Sequence, residues 1–202
     1  MLKITKYAAI DIGSNAIRLL ISNVIERPDS PTLFRKNALI RLPIRLGQDV
    51  FTDGKISEEN KSRMLDAMQA FKLVMRAHKV SRYRACATSA MREAENGYAF
   101  AKAIKDKTGV VIDIIDGEEE AAIIAATDLH SFIKIEKTYL YVDVGGGSTE
   151  FTVYHEGKVV VSKSFKIGTV RLLNDMVSND LWKDLEDWIL VNTSIYQAID
   201  VI

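Results

Sequence analysis

One cysteine, Cys86, stands in 202 residues, so no intrachain disulfide can form and a disulfide-held secreted scaffold is excluded. A thiolate zinc site goes with it, because His78, His130 and His155 lack metal-like spacing and are too few to complete a tetrahedral set. Beside alanines in an apolar strand, Cys86 reads as a small packed residue rather than a nucleophile. Long apolar runs are also missing. The run from Ala121 to Ala126 is broken by charge far short of the roughly 20 residues a bilayer span needs, and no signal segment follows the start. The expectation is a cytoplasmic protein with no membrane partner. Excess charge of either sign is absent too, since 27 Lys and Arg balance 27 Asp and Glu. Nothing global attracts nucleic acid, and any polyanion must be drawn by local groups. What remains, 48% apolar and 27% charged residues, is the balance of a globular chain of one or two domains.

The pattern opens with strands. Lys6 to Ile12 reads as a buried strand, Gly13-Ser14-Asn15 as a turn, and Ile17 to Val24 as a second strand, together a hairpin. Pro28-Asp29-Ser30-Pro31 marks the next turn, and Thr32 to Leu46 predicts a third strand and its exit. Helical spacing then appears at Met64, Ala67, Met68, Phe71, Val74 and Met75, with a helix start at Ser57 and an end near His78. Strands and helices alternate from there: strand Arg82 to Thr88, helix Glu93 to Lys107 closed by Gly109, strand Val110 to Ile115, helix Gly117 to about Phe132.

After Lys134 to Lys137 the opening returns. Thr138 to Val144 is a strand, and Gly145-Gly146-Gly147-Ser148 is its turn. Asp11 and Asp143, 132 residues apart, each end an apolar run opened by a tyrosine, and each precedes one apolar residue and a glycine. That offset is too long for a solenoid and suits a domain duplication. The boundary is expected near Glu136, giving domains 1–136 and 137–202. The second unit reads as partial: strands at Phe151 to Tyr154 and Lys158 to Phe165, helices from about Thr169 and from Leu181 to Ala198, and a next strand due near Ile199 to Ile202. An apolar face and an unpartnered strand edge are expected there. The 202-residue chain is accordingly expected to be weakly active or inactive, and to self-associate as a homo-dimer.

Close approach of backbone to phosphate is obstructed by side chains. Gly13 and Gly145, Gly146 and Gly147 remove that obstruction, so that consecutive N–H groups can point at oxygens. Ser14, Ser148 and Thr149 add hydroxyl donors, and Asn15 of the first turn is a further candidate for phosphate binding. A hairpin whose Gly or Asn merely accommodates unusual backbone angles would look the same at the first turn, but the turn occurs twice. The aspartates at the strand ends would repel a phosphate, which implies ordered waters or a divalent cation between them. Magnesium fits, because it takes few carboxylates and keeps several waters. Its candidate ligands are Asp143, Asp11 and Glu150.

Glu118, Glu119 and Glu120 follow Asp116-Gly117 in the first turn of a helix, where the dipole alone favours carboxylates. A general base could be drawn from the three, and adjacent helical residues point about 100° apart, so only one would face a substrate. Glu120 borders the small apolar side of Ala121, Ala122, Ile124 and Ala125. Thr88-Ser89-Ala90-Met91-Arg92 carries a strand through a hydroxyl-rich turn into a helix, a geometry that binds anions, with Arg92 as a cation. Equally, Ser89 could be only a cap and Arg92 a partner of Glu93 or Glu95.

Together, Ala9 to Asn15, Ala87 to Ala94, Gly117 to Ala121 and Val142 to Glu150 resemble the exopolyphosphatase and guanosine pentaphosphate phosphohydrolase family (Ppx/GppA). Four motifs stand in the right order. The resemblance covers essentially this whole chain and the first part of a family member. It implies an α/β fold of the duplicated ribonuclease H-like kind found in the actin, sugar kinase and Hsp70 superfamily, with the second domain truncated here. It implies magnesium-assisted hydrolysis of a terminal phosphoanhydride in inorganic polyphosphate or in guanosine pentaphosphate or tetraphosphate. By that likeness Glu120 would be the base. Asp143, Gly145 and Ser148 would form a phosphate and metal site, with Asp11, Ser14 and Asn15 facing them across a cleft. The absence of a base-stacking aromatic near the motifs tilts the choice to polyphosphate. A superfamily kinase or ATPase, or a non-catalytic alarmone sensor, is the alternative.

Overall fold

The computed structural model describes residues 1–125 and 134–202. These form two compact units, Met1–Ile114 and Ile115–Ile202.

The first unit is built on a five-stranded sheet of order β3-β2-β1-β4-β5. Strands β1 (Lys3–Ile12), β2 (Ile17–Arg27) and β3 (Ser30–Leu42) are an antiparallel meander, and β4 (Arg82–Ala87) and β5 (Asp113–Ile114) continue it in parallel. Period-2 alternation places Ile10, Ile12, Ile17, Leu19 and Ile21 on one face, each at most 2% exposed. Helix α2 (Glu58–Ala77) buries Met64, Ala67, Met68, Phe71 and Met75 along one stripe, and the Ser57 hydroxyl caps it by accepting the Asn60 N–H at 3.3 Å.

Three expectations change here. Helix α1 (Leu46–Asp53) begins where the expected strand exit ends, over residues for which no element was expected; eight residues carry too short a period to stand out. The single helix expected over Glu93 to Lys107 is two, α3 (Ser89–Glu93) and α4 (Gly97–Thr108). Between them the Asn96 amide accepts the Ile56 N–H at 3.0 Å and donates to the Ile56 carbonyl at 2.9 Å. A Cβ on Gly97 would fall 2.0 Å from the Met91 carbonyl oxygen, so the break is packed around a glycine. Strand β5 is two residues, shorter than expected.

The second unit carries helix α5 (Gly117–Ala125) and a four-stranded sheet of order β8-β7-β6-β9. Strands β6 (Thr138–Val144), β7 (Thr149–His155) and β8 (Lys158–Phe165) are again antiparallel, and β9 (Asp200–Val201) lies parallel to β6. Helices α6 (Thr169–Leu173) and α7 (Asn179–Thr193) fall between β8 and β9. One face of the sheet holds the core of Leu140, Phe151, Val153, Phe165 and Ile167 with Leu185 of α7. Its opposite face carries Asp143, Glu150, Thr152, Ser162 and Ser164, with Tyr139, Tyr141 and Tyr154 further along. Helix α5 packs on β7 and β8, which is why it joins this unit although the sequence boundary was expected near Glu136. The continuation expected toward Phe132, and His130, lie outside the described residues.

The duplication is explicit in the register. Ile12 pairs with Ile17 and Val144 with Thr149, so both hairpins enclose four residues at the 132-residue offset. Each meander also gains a parallel neighbour on the same side, β4 beside β1 and β9 beside β6. The fold is therefore the duplicated α/β arrangement expected. The last strand is held to β6, Ile202 donating to Leu140 at 3.1 Å and accepting from Val142 at 2.9 Å, and among the described residues β9 is an edge strand of its sheet. Among the described residues no helix is long and apolar enough to cross a membrane.

Candidate active site

In the first unit, the N–H of Gly13 donates to the Ala16 carbonyl at 3.1 Å and closes the turn. Helix α1 supports it from outside, the Gly47 N–H donating to the Ser14 carbonyl at 2.8 Å. A Cβ on Gly47 would come within 2.8 Å of the Ser14 Cβ, so that approach requires glycine. The buried Ser14 hydroxyl lies 3.0 Å from that of Ser89 at the start of α3, and Arg92 sits half-buried on the same short helix. Asn15 is exposed at the tip. Asp11 and its cross-strand partner Arg18 form an ion pair at 3.0 Å.

The second turn has the same closure, Gly145 N–H to Ser148 carbonyl at 2.9 Å. The carbonyls of Gly145 and Gly146 accept from the N–H groups of Thr169 and Val170 at 3.0 and 2.9 Å, and that of Gly147 accepts from Arg171 Nε at 2.7 Å. In a planar trans peptide the carbonyl and the next N–H point to opposite sides. With three carbonyls held toward α6, the N–H groups of Gly146, Gly147 and Ser148 are turned the other way, a concave set of donors suited to an oxyanion. Gly168 makes the seat possible, since a Cβ there would lie 2.4 Å from the Gly146 oxygen. None of Gly13, Asn15 or Gly145 to Gly147 is at positive φ; the positive-φ glycines are Gly54, Gly109 and Gly157. The turn glycines are therefore not explained by unusual backbone angles; at Gly145 a Cβ would lie 3.0 Å from the Ser148 carbonyl oxygen, and at the others the absent side chain leaves the backbone open to close approach.

Beside this turn, Asp143 and Glu150 are cross-strand partners. Glu150 is 3% exposed, and its Oε1 accepts from the Ser148 and Ser164 hydroxyls at 2.7 and 2.8 Å. Burial, together with the negative charge of Asp143, pushes the Tyr141 hydroxyl above its ordinary pKa. At the 132-residue offset Arg18 corresponds to Glu150. The first turn thus has an acid neutralised by a base, and the second has two acids side by side, a pairing that is unfavourable without a cation. Among the described residues no group of three or more His, Cys, Asp or Glu could hold a metal. Two carboxylate oxygens from the protein, completed by substrate phosphate and water, nevertheless suit magnesium. Asp143 and Glu150 fit that role, whereas Asp11 already serves Arg18.

On α5 the three glutamates separate. Asp116 caps the helix, its Oδ1 accepting the Glu119 N–H at 2.8 Å. Glu118 and Glu119 are exposed, while Glu120 is half-buried with Oε2 buried. Gly117 rests on β8, where a Cβ would lie 3.2 Å from that of Ser164. Sequence reasoning missed Gly168, Arg171 and Ser164. A glycine directly before a helix was the available signal for the first, and nothing local distinguished the other two.

A model of the Ppx/GppA phosphatase family matches residues 31–187. Exopolyphosphatase 2 of Mycobacterium tuberculosis is 33% identical over 185 residues, covering 88% of this chain and 56% of that protein. The guanosine-5'-triphosphate,3'-diphosphate pyrophosphatase of Photobacterium profundum is 35% identical over 167 residues, covering 83% of this chain and 32% of that protein. Of solved structures, a Ppx/GppA family member from Aquifex aeolicus aligns with a TM-score of 0.72 at 26% identity, covering 94% of this chain and 62% of that one. An exopolyphosphatase from Cytophaga hutchinsonii aligns at 0.74 and 26%, covering 92% and 59%. The chain thus spans less than two thirds of each of these relatives. The family model takes in most of the chain, including α5 and the whole second turn, and on that match the chain belongs to the Ppx/GppA phosphatase family.

Proposed function

We propose that this chain carries the phosphate-binding and catalytic residues of a phosphoanhydride hydrolase that releases orthophosphate from the end of inorganic polyphosphate. The observation that carries the reading is the second turn: three successive carbonyls held by α6, which turns the N–H groups of Gly146, Gly147 and Ser148 away from that helix, beside the buried Glu150 and its partner Asp143. Donors fixed in advance stabilise the charge spread over the equatorial oxygens of a transferring phosphoryl group. Glu120, with one oxygen buried, acts as general base. It takes a proton from water as the water oxygen bonds to the terminal phosphorus, the bridging P–O bond breaks, and the shortened chain leaves. Asp143 and Glu150 would hold a magnesium ion, which supplies neutralisation of phosphate charge. Ser14 and Asn15 add donors in the first unit, where Arg92 adds a cation. The working location is the cytoplasm.

Guanosine pentaphosphate is the competing substrate, favoured by the likeness to the Photobacterium profundum enzyme. Phosphate release measured from both substrates, with the natural protein that contains this chain, ranks them. Faster release from polyphosphate supports the reading. Turnover of ATP alone would transfer the protein to the kinases and ATPases, and alarmone binding without hydrolysis would make it a sensor.

A further inference from the structure

We infer that Ser164 is a positioning residue that holds Glu150 in place when substrate draws Ser148 away. The inference rests on the phosphoanhydride-hydrolase reading above and deepens it. Both hydroxyls donate to the same atom, Glu150 Oε1, at 2.7 Å from Ser148 and 2.8 Å from Ser164. Two donors on Oε1 direct Oε2 to be the oxygen that meets a cation.

A serine hydroxyl carries one proton. Ser148 closes the second turn, so its hydroxyl can serve Glu150 or a phosphate oxygen, but not both at once. Ser164 stands on β8, directly across from Glu150, outside the turn and with no such competing demand. Once phosphate binds, Ser164 is the hydroxyl left on Glu150, a carboxylate that is 3% exposed and costly to leave unsupported. Gly117 at the start of α5 rests on Ser164, so the same serine lies between the helix bearing Glu120 and the cation ligand.

The test is direct binding of Mn2+, followed by electron paramagnetic resonance, with and without inorganic triphosphate. For Ser164→Ala we expect a small loss of Mn2+ affinity in the protein alone, about threefold or less, because Ser148 still supports Glu150. With triphosphate present the loss should grow to about tenfold or more, the range found when groups supporting a metal ligand are removed. Ser164→Thr keeps the hydroxyl and should restore the wild-type behaviour, its methyl group finding room in the cavity of about 540 Å3 lined by Gly117, Ser162 and Ser164. Equal losses with and without triphosphate, or no loss in either state, would overturn the inference. Wild-type protein that binds no Mn2+, or Glu150→Gln that binds it equally well, would instead overturn the metal assignment itself, and this inference with it. The two failures are read from different samples.

Discussion

Glu120 and Glu119 are adjacent on α5, yet only Glu120 turns an oxygen inward. Glu120→Gln should therefore remove most turnover while leaving substrate binding largely intact, since a positioned base contributes about 10² to 10⁴ in rate. Equal losses in Glu119→Gln, measured by phosphate release, would reverse the assignment. Asp143→Asn should raise the magnesium concentration needed for half-maximal rate, because a neutral amide is a poorer ligand for a hard dication. An unchanged magnesium titration would move the metal elsewhere. Asp49 tests the linkage of charge to stability. Its Oδ2 accepts from the Ser57 N–H, the Ser57 hydroxyl and the Asn60 amide at 3.0, 2.6 and 2.8 Å. Burial raises its pKa, but these hydrogen bonds and the Arg63 charge outweigh that and hold it below the usual carboxylate range. A folded pKa below the unfolded one of about 4 gives stability that is complete above that value and is lost as pH falls through the lower folded one. Asp49→Ala should cost about 1–3 kcal/mol near neutrality by stranding three donors, two on half-buried Ser57 and one on buried Asn60. In chemical denaturation the gap from wild type should close in acid; a gap independent of pH would reject the network as its source.

The second turn depends on a neighbouring element for its shape. Gly168 precedes α6, and that short helix takes the carbonyls of Gly145 and Gly146. Gly168→Ala would drive a Cβ to 2.4 Å from the Gly146 oxygen and 2.6 Å from the Gly147 carbonyl carbon, a clash with backbone that no rotamer relieves. We expect about 1–3 kcal/mol of destabilisation together with loss of phosphate release. Gly13→Ala is the contrasting case. Its φ is not positive, and the new Cβ would meet the Ala16 oxygen at an ordinary 3.4 Å. Its melting temperature should barely move while activity falls, if the glycine serves close approach to phosphate. A Gly13→Ala protein with full activity would remove that role, and an unperturbed Gly168→Ala would refute the seat under the second turn.

Across the whole molecule, many large apolar side chains are exposed. On and beyond α7, Trp182, Leu190, Val191 and Ile195 are 44%, 57%, 73% and 76% exposed, and Leu173 is 85% exposed. Exposed apolar groups favour association, so a preparation of the 202 residues should self-associate with rising concentration. Light scattering that finds a monomer throughout the micromolar range would contradict this.

Much of this architecture is local in origin and was legible in the residues. Short apolar runs set β1, β2 and β6, helical spacing set α2, and the two glycine turns after apolar runs announced a duplication that the registers then reproduced. Glu120 could be favoured over its neighbours only through the family resemblance, because helical periodicity says that one of three adjacent glutamates faces a substrate and leaves open which. What only the tertiary structure decided depends on residues distant in sequence. Ser164 reaches Glu150 because β7 and β8 adopt one register, and a shift of one residue would have sent it to the other face. Gly168 matters because α6 folds back on a turn 21 to 23 residues earlier, and the α3–α4 break is tied by Asn96 to Ile56, 40 residues away. The two strand-end aspartates look alike in the sequence. Pairing placed Arg18 beside one and Glu150 beside the other, so one faces a base and the other a second acid, because charge balance at a site is set by whichever side chains the fold brings together.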